Sequence, residues 1–304
     1  MEWIALILFL SIFLTILTGY PVAFILGGLS YLIGVIYLGN DFFQILPMRF
    51  MGIMSNQVLM AVPLFIFMGI GLQKSKIAQI MLENMAALFG NFKGGMGISV
   101  IVVGGMLAAS TGIVGATVVT MGLISMPVML KNGYSPKFSS GIIAASGTLG
   151  QIIPPSIVLI LLGSVMSISI GDLFYKAIMP GIMLIILYLV YVILVSYFNP
   201  SSFGTISKTG SKSIKEIIFS FILPFFLIAL VLGSIYLGFA SPTEAAAVGA
   251  FGSILLMVLI GDFSIQKIFD VSSETMLLTS MVFFTLLGAT SFALVFRGLG
   301  GDDM

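Results

Sequence analysis

Residues 182–198 form an apolar run without a single charge, long enough to cross a lipid bilayer as one helix. Residues 4–18 form another uncharged run. Of the 304 residues, 59% are hydrophobic and only 8% are charged, whereas about a quarter of the residues in a soluble domain are charged. The sequence therefore predicts an all-α, polytopic protein whose surface faces mostly lipid.

Two absences restrict the chemistry of this chain. It contains no Cys and no His, which removes thiol nucleophiles and the most common general base. An intramembrane enzyme would need a nucleophile–base pair or paired carboxylates at one depth, and neither is visible. The net charge of +1 gives no indication of nucleic acid binding. We therefore predict a protein that is not an enzyme and that binds no cofactor other than a coupling ion.

The distribution of Lys and Arg orients the predicted spans. If residues 95–130 return to the side from which they enter, Arg49, Lys176 and Arg297 lie on one side and nine Lys lie on the other. The positive-inside rule assigns the richer side to the cytoplasm, so the N-terminus is predicted to lie outside. Two full crossings by residues 95–130 would give the same count. The nine residues are Lys74, Lys76, Lys93, Lys131, Lys137, Lys208, Lys212, Lys215 and Lys267.

A cluster of small and hydroxylated residues interrupts the apolar stretch 95–130. Glycine in a helix interior costs about 1 kcal/mol relative to alanine, so Gly112 and Gly115 favour a break. The flanking pieces, at about 15 residues each, are too short to span comfortably. A re-entrant helical hairpin with its tip at residues 110–115 fits both features. The alternative is two full helices that pack closely through their small residues.

A second interruption lies inside the apolar segment 137–169, where Pro154 and Pro155 follow Gly147 and Gly150. Each proline removes a backbone N–H and clashes with the preceding turn, at a cost of about 3 kcal/mol. Non-helical backbone at membrane depth must line a polar cavity or bind an ion. We predict a broken helix here, with a simple kink as the alternative.

The two interruptions together predict an ion- and substrate-binding site. Discontinuous helices offer backbone and hydroxyl oxygens to Na⁺ and helix N-termini to anionic substrates. Because proton relays normally need an intramembrane acid or His, we expect coupling to Na⁺ rather than to H⁺. The predicted site residues are Ser110, Thr111, Gly112, Gly115, Thr117, Gly147, Thr148, Gly150, Gln151, Pro154, Pro155 and Ser156. The predicted Na⁺ ligands among them are Ser110, Thr111, Gly147, Thr148 and Pro154.

A weak internal repeat indicates how the chain is organised. Pro21 and Pro242 each open an apolar helix, and a glycine follows seven residues later. Secondary transporters are often built from two repeats, so we expect an inverted repeat whose second copy is incomplete at residue 304. The predicted parts are scaffold helices at 1–57, a transport repeat at 58–198 and a cytoplasmic linker at 199–215. The start of the second repeat is predicted at 216–304.

Five segments resemble the large membrane subunit of TRAP transporters, the tripartite ATP-independent periplasmic transporters. They are AVPLFIFMG at 61–69, GGMLAASTGIVGAT at 104–117, MPVMLKNGY at 126–134, GTLGQIIPPS at 147–156 and SPTEAAAVG at 241–249. The resemblance covers essentially the whole chain in order, and the combination is more specific than any one segment.

This resemblance implies an elevator-type, Na⁺-driven importer in the bacterial inner membrane. A periplasmic binding protein would deliver organic acids, such as dicarboxylates, sialic acids or other sugar acids, and a small membrane subunit would accompany the permease. By position, residues 110–117 match the first hairpin tip of the family and residues 147–156 match its broken helix. The family continues with a second hairpin and a second Pro-Pro break, which are not found before Met304.

Several alternatives remain open at this point. A different ion-coupled organic-anion carrier would work without a binding protein, and a membrane scaffold would have no need for Gly and Pro-Pro at mid-membrane. Arg297 is compatible with a substrate carboxylate or with an interfacial position. Glu244, in the first turn of a predicted helix, suits the positive end of the helix dipole as a cap.

Overall fold

The computed structural model describes residues 2–89, 92–112, 114–200, 203–204 and 214–303, with only the backbone given for Thr111 and residues 214–219. Across these residues the chain forms α-helices and short 3₁₀ turns, and no strand occurs among them, so the predicted all-α fold is confirmed. The helices are α1 (Glu2–Ile16), α2 (Val22–Leu38), α3 (Leu46–Met54), α4 (Ala61–Lys74), α5 (Ile77–Phe89), α6 (Gly95–Thr111), α7 (Val114–Lys131), α8 (Pro136–Thr148), α9 (Ile157–Met166), α10 (Ile170–Phe198), α11 (Ile214–Tyr236), α12 (Pro242–Leu259) and α13 (Ile265–Gly298).

Many of these helices carry the apolar surface of a multi-pass membrane protein. Five helical segments in the described part of the chain are long and apolar enough to cross a bilayer. Several shorter helices, including α1 and α2, are also apolar. The five segments are Gln57–Lys74, Val114–Lys131, Ile170–Phe198, Pro242–Leu259 and Ile265–Gly298.

The helices group into two compact units. The first contains Met1–Gln57 and Met276–Met304. Its core is aliphatic and aromatic, and α2 approaches α13 through glycine: a Cβ atom on Gly288 would lie 2.6 Å from the Ala23 carbonyl oxygen. The core residues are Ala5, Leu8, Ile12, Ile25, Phe43, Val295 and Leu299.

The second unit, Val58–Thr275, holds both predicted interruptions. Its helices α4 and α12 run in the same direction and pack through small residues. A Cβ atom on Gly249 would lie 2.5 Å from the Met68 sulfur, and one on Gly71 would lie 2.9 Å from the Ser253 hydroxyl oxygen. Close packing at small residues is one of the main forces that hold helices together in lipid, where burial of apolar surface contributes little. The predicted division into scaffold, transport and linker segments remains a prediction.

Three helices are longer than the sequence predicted. Helices α6 and α7 have 17 and 18 residues, because α6 continues to Thr111 and α7 begins as early as Val114. Both arms of the hairpin were predicted to be too short to span the bilayer; this prediction is wrong for α7, which is long enough to cross it. The apolar pattern predicts a last span from about Thr275 to Phe296, whereas helix α13 begins at Ile265, ten residues earlier. Lys208 and Lys212 of the predicted linker lie outside the described residues.

Glu244 and Arg297, for which the sequence left the role open, both have partners nearby in the chain. The Ser241 hydroxyl accepts the Glu244 backbone N–H, and the Glu244 carboxylate accepts the Ser241 backbone N–H at 2.7 Å, so the predicted cap is confirmed as a reciprocal capping box. Arg297 forms an exposed ion pair with Asp302 at 3.2 Å.

Candidate functional site at the hairpin tip

The hairpin turns at Gly112, which ends α6 in the left-handed conformation with φ of +61°. Its backbone N–H donates to the Ala108 carbonyl at 3.1 Å, as in other glycine C-caps. Just before the turn, the buried Ser110 hydroxyl donates to the Leu107 carbonyl at 2.6 Å. The turn is tight because glycine adopts this conformation without the steric cost that a side chain would add.

The predicted broken helix is also present. Helix α8 ends at Thr148, a 3₁₀ turn covers Leu149–Gln151, and the chain then leaves helical geometry until α9 begins at Ile157. Within the irregular stretch the Pro154-Pro155 bond is cis, and both prolines are buried. Ser156 caps α9: its hydroxyl donates to the Gln151 carbonyl at 2.8 Å and accepts the Leu159 N–H.

The two interruptions are in direct contact. A Cβ atom on Gly112 would lie 2.7 Å from the backbone nitrogen of Ile157 and 3.4 Å from the Cα of Ser156. A Cβ atom on Gly150 would lie 2.7 Å from the Ala108 carbonyl oxygen. The hairpin tip therefore lies against the start of α9, and only glycine permits these approaches.

Three helix ends meet at this contact. The first turns of α7 and α9 carry backbone N–H groups without partners inside the helix, and their dipoles place partial positive charge beside Gly112. The last turn of α6 supplies carbonyl groups of opposite polarity. The arrangement thus presents donors suited to an anion and acceptors suited to a cation within one small region.

The arms of the hairpin pack closely on α8. A Cβ atom on Gly147 would lie 2.3 Å from Cγ2 of Val118, and one on Gly104 would lie 2.7 Å from the Ser146 hydroxyl oxygen. These glycines hold α6, α7 and α8 together next to the tip. Gly147 therefore has a packing role, whereas the sequence predicted only a role in ligand binding.

Not every predicted site residue faces the contact. Gly115 is exposed, with no atom within 4 Å of a Cβ built on it. Thr148 and Gln151 are exposed, and the Thr148 hydroxyl donates to the Ala145 carbonyl at 2.7 Å. The side chain of Thr111 lies outside the described residues.

Thr117 is fully buried and leads to a residue that the sequence did not single out. The Gln73 amide donates to the Thr117 hydroxyl at 3.0 Å, and the Thr120 hydroxyl donates to the Gln73 carbonyl oxygen at 3.4 Å. Gln73 is only 6% exposed and ties α4 to α7. The signal for it was an amide at the end of an apolar span, directly before Lys74.

Comparison with known proteins identifies the family. The family model described as "Tripartite ATP-independent periplasmic transporter, DctM component" matches residues 9–302. The chain belongs to this DctM family. The predicted resemblance to the large TRAP membrane subunit is therefore confirmed.

Curated relatives of this DctM-family chain agree with the assignment. It is 31% identical over 252 residues to the C4-dicarboxylate TRAP transporter large permease protein DctM of Vibrio cholerae, covering 82% of this chain and 55% of the relative. It is 32% identical over 236 residues to the ectoine TRAP transporter large permease protein TeaC of Halomonas elongata, with 77% and 55% covered. The sialic acid TRAP transporter large permease protein SiaM of Vibrio cholerae is 29% identical over 283 residues, with 90% and 64% covered.

The chain thus spans between about half and two thirds of the length of these relatives. All three are named as permeases and not as enzymes. Within the DctM family, the contact between the α6–α7 turn and the α8–α9 break is the feature of this chain that calls for a functional explanation.

Proposed function

We propose that this chain is the large permease subunit of a sodium-coupled TRAP transporter in a bacterial inner membrane. It imports organic acids that a periplasmic binding protein delivers, and it works with a small membrane subunit. The observation that carries the proposal is the contact of Gly112 with Ile157, which brings the hairpin tip to the start of α9.

The helix ends at this contact suit an organic anion. Gly112 lies against the N-terminus of α9 and precedes that of α7 by two residues. A carboxylate is favoured at a helix N-terminus by about 0.3–1 kcal/mol at exposed sites and by more where water is excluded. The substrates named for the three relatives, C4-dicarboxylates, ectoine and sialic acid, are all carboxylic acids. We therefore assign a carboxylated substrate to this chain.

The coupling ion is assigned to oxygen ligands beside the same turn. A hydroxyl that donates one hydrogen bond keeps lone pairs for a cation, so the Ser110 hydroxyl is available although it donates to Leu107. The Ala108 carbonyl accepts the Gly112 N–H, and the carbonyl groups that follow it at the end of α6 come too late in the helix to have an i+4 donor inside it. Gly147, Thr148 and Pro154 complete the proposed set, in which the Thr148 hydroxyl is exposed and donates to the Ala145 carbonyl.

Contacts along helix α10 indicate how deep in the bilayer the hairpin tip lies. Gly97, near the open end of the hairpin, lies beside Val192, whereas Ile153 in the break lies beside Gly181. From Gly181, α10 continues to its start at Ile170, which is about 16 Å at 1.5 Å per residue. Helix α10 is long enough to span the bilayer. The hairpin tip lies at the same level along α10 as the break between α8 and α9, so it ends partway across the bilayer. This supports a re-entrant hairpin over two full crossings.

Two further parts of the proposal are the elevator motion and the orientation. Relative movement of the transport and scaffold segments is carried over from the family resemblance. The outside position of the N-terminus rests on the distribution of Lys and Arg. The ion pairs of Lys74 with Glu274 and of Lys76 and Lys267 with Asp262 support one step of this count, because they place Lys74, Lys76 and Lys267 on the same side.

The test is uptake into proteoliposomes by the natural gene product that contains this chain, reconstituted with its small membrane subunit. Labelled succinate and a labelled sialic acid serve as probes, with and without the matching binding protein outside. We expect uptake that requires both the binding protein and an inward Na⁺ gradient. Equal uptake when K⁺ replaces Na⁺ would contradict the proposed sodium coupling. Uptake without any binding protein would favour an ion-coupled carrier of another kind.

A further inference from the structure

The loop between α12 and α13 places a carboxylate inside the second unit. Gly261 adopts a left-handed conformation with φ of +71°, and the Asp262 N–H donates back to the Met257 carbonyl at 2.9 Å. This glycine-based C-cap turns the chain sharply after α12. The Asp262 side chain is only 5% exposed, so its charge requires partners.

Its partners come from two different parts of the chain. The Lys76 backbone N–H donates to the Asp262 carboxylate at 2.9 Å, and the Lys76 ammonium lies 3.7 Å from it. The Lys267 ammonium, in the first turn of α13, forms a second ion pair with the same carboxylate. Asp262 therefore joins the α4–α5 connection to the α12–α13 loop.

The Lys76 N–H belongs to the start of α5. The Lys76 carbonyl accepts the Ile80 N–H at 2.9 Å, which places Lys76 at the N-cap position. The following N–H group, of Ile77, donates to the Ser75 hydroxyl at 3.3 Å. Asp262 thus acts as a helix cap supplied from a segment 186 residues away, where a negative charge also suits the helix dipole.

A third ion pair lies on the other side of the connection between α4 and α5. Lys74, the last residue of α4, lies 2.7 Å from Glu274, which is in the third turn of α13. Directly before Lys74, Gln73 makes the buried hydrogen bonds to Thr117 and Thr120 in α7. The break between α4 and α5 is thus linked to the α12–α13 loop on one side and to the hairpin on the other.

We propose that Asp262 is a positioning residue that fixes the break between α4 and α5 and, through Gln73, holds the first turns of α7 in the hairpin. The α12–α13 loop then braces the hairpin tip, although the two are far apart in the sequence. The Lys74–Glu274 pair, in which both side chains are exposed, contributes less than the contacts of the buried Asp262 carboxylate, because water and salt screen it. This proposal concerns how the hairpin is held and does not depend on transport.

The test is amide hydrogen–deuterium exchange of the full chain in lipid nanodiscs, read for the first turn of α5 and the first two turns of α7. Asp262→Ala removes both the cap and the charge, whereas Asp262→Asn keeps an oxygen that can accept the Lys76 N–H. The matched control is Asp270→Asn, because Asp270 is exposed on α13 and accepts only the local Gln266 amide at 3.2 Å among the bonds described.

We expect exchange in both regions to rise about tenfold in Asp262→Ala, less in Asp262→Asn and not at all in Asp270→Asn. Unchanged exchange in folded Asp262→Ala would overturn the proposal. Faster exchange in α5 alone would contradict the proposed link through Gln73. Equally faster exchange in α10 would show a general loss of stability and would contradict a positioning role. If Asp262→Ala does not fold, Asp262→Asn decides: faster exchange in both regions supports the proposal, and wild-type exchange contradicts it.

Discussion

Gly112 and Ile157 approach so closely that a single methyl group on Gly112 would lie 2.7 Å from the Ile157 backbone nitrogen. This contact joins a helix end, the C-cap of α6, to a helix start, the first residue of α9. Partial charges of opposite sign are therefore held next to each other without charged side chains. The proposed transport function depends on that arrangement.

Gly112→Ala is expected to abolish most of the uptake while leaving the protein folded. The added Cβ collides with α9, and the left-handed backbone costs a non-glycine residue about 1–2 kcal/mol. The measurement is initial uptake rate together with thermal unfolding in the same detergent. Gly122→Ala is the control, because it lies on α7 with open space around the new methyl group. Equal uptake by the two variants would contradict the proposed role of the tip.

The sequence was a good guide to the two breaks because each depends on local backbone chemistry. Gly112 ends α6 since it alone tolerates the left-handed turn, and Pro154-Pro155 excludes the donors that a continuous helix needs. Local chemistry also identified the capping box at Ser241 and Glu244. These features can be read without knowing what packs around them.

The facing of side chains could not be read in this way. Thr117 is buried, whereas Gly115 and Thr148 are exposed. Which positions are buried depends on how each helix is rotated about its axis relative to its neighbours. The start of α13 was missed because its charged residues resemble a loop. In the structure both charged residues lie within α13, where Lys267 pairs with Asp262 and Glu274 pairs with Lys74. The role of Gln73 depends likewise on a partner 44 residues away.

Tyr134→Phe is expected to loosen the open end of the hairpin. The Tyr134 hydroxyl accepts the N–H groups of Gly94 and Met96, both at 3.2 Å, and Gly94 has no side chain with which to cap α6. Leaving two buried donors unpaired costs about 1–3 kcal/mol each. Faster amide exchange at the start of α6 would show the loss. Tyr197→Phe, on an exposed ring, is the control, and identical exchange in both variants would argue against this cap.

The contribution of Asp262 to stability is expected to be independent of pH near neutrality. Burial raises the pKa of its carboxyl group. The hydrogen bonds and charges of Lys267 and Lys76 together lower that pKa by a larger amount, so it lies below its ordinary value of 3.8. A depressed folded-state pKa stabilises the protein above the unfolded-state pKa, and this effect is lost as the pH falls through the folded-state pKa.

The stability difference between wild type and Asp262→Asn should therefore stay constant from about pH 8 to about pH 5 and shrink only below about pH 4. Thermal unfolding midpoints across this range provide the measurement. A difference that already disappears between pH 8 and pH 6 would mean that the carboxylate is not held by its two lysines.

The absence of Cys from the chain allows the orientation to be tested with single-cysteine variants. In intact cells, a membrane-impermeant maleimide should label Glu2→Cys directly. It should label Lys131→Cys, at the exposed open end of the hairpin, only after permeabilisation. The reverse pattern would place the N-terminus in the cytoplasm and contradict the distribution of Lys and Arg.

The most direct measurement of the central claim, that a cation binds where the hairpin turn meets the helix break, uses Gly115→Cys. Position 115 is exposed one residue after the start of α7, and the cysteine would be the only one in the chain. We expect the rate of maleimide labelling in nanodiscs to fall when K⁺ is replaced by Na⁺ at constant ionic strength, since a bound ion orders the turn. Equal labelling rates in Na⁺ and K⁺ over the full range of concentrations would contradict it.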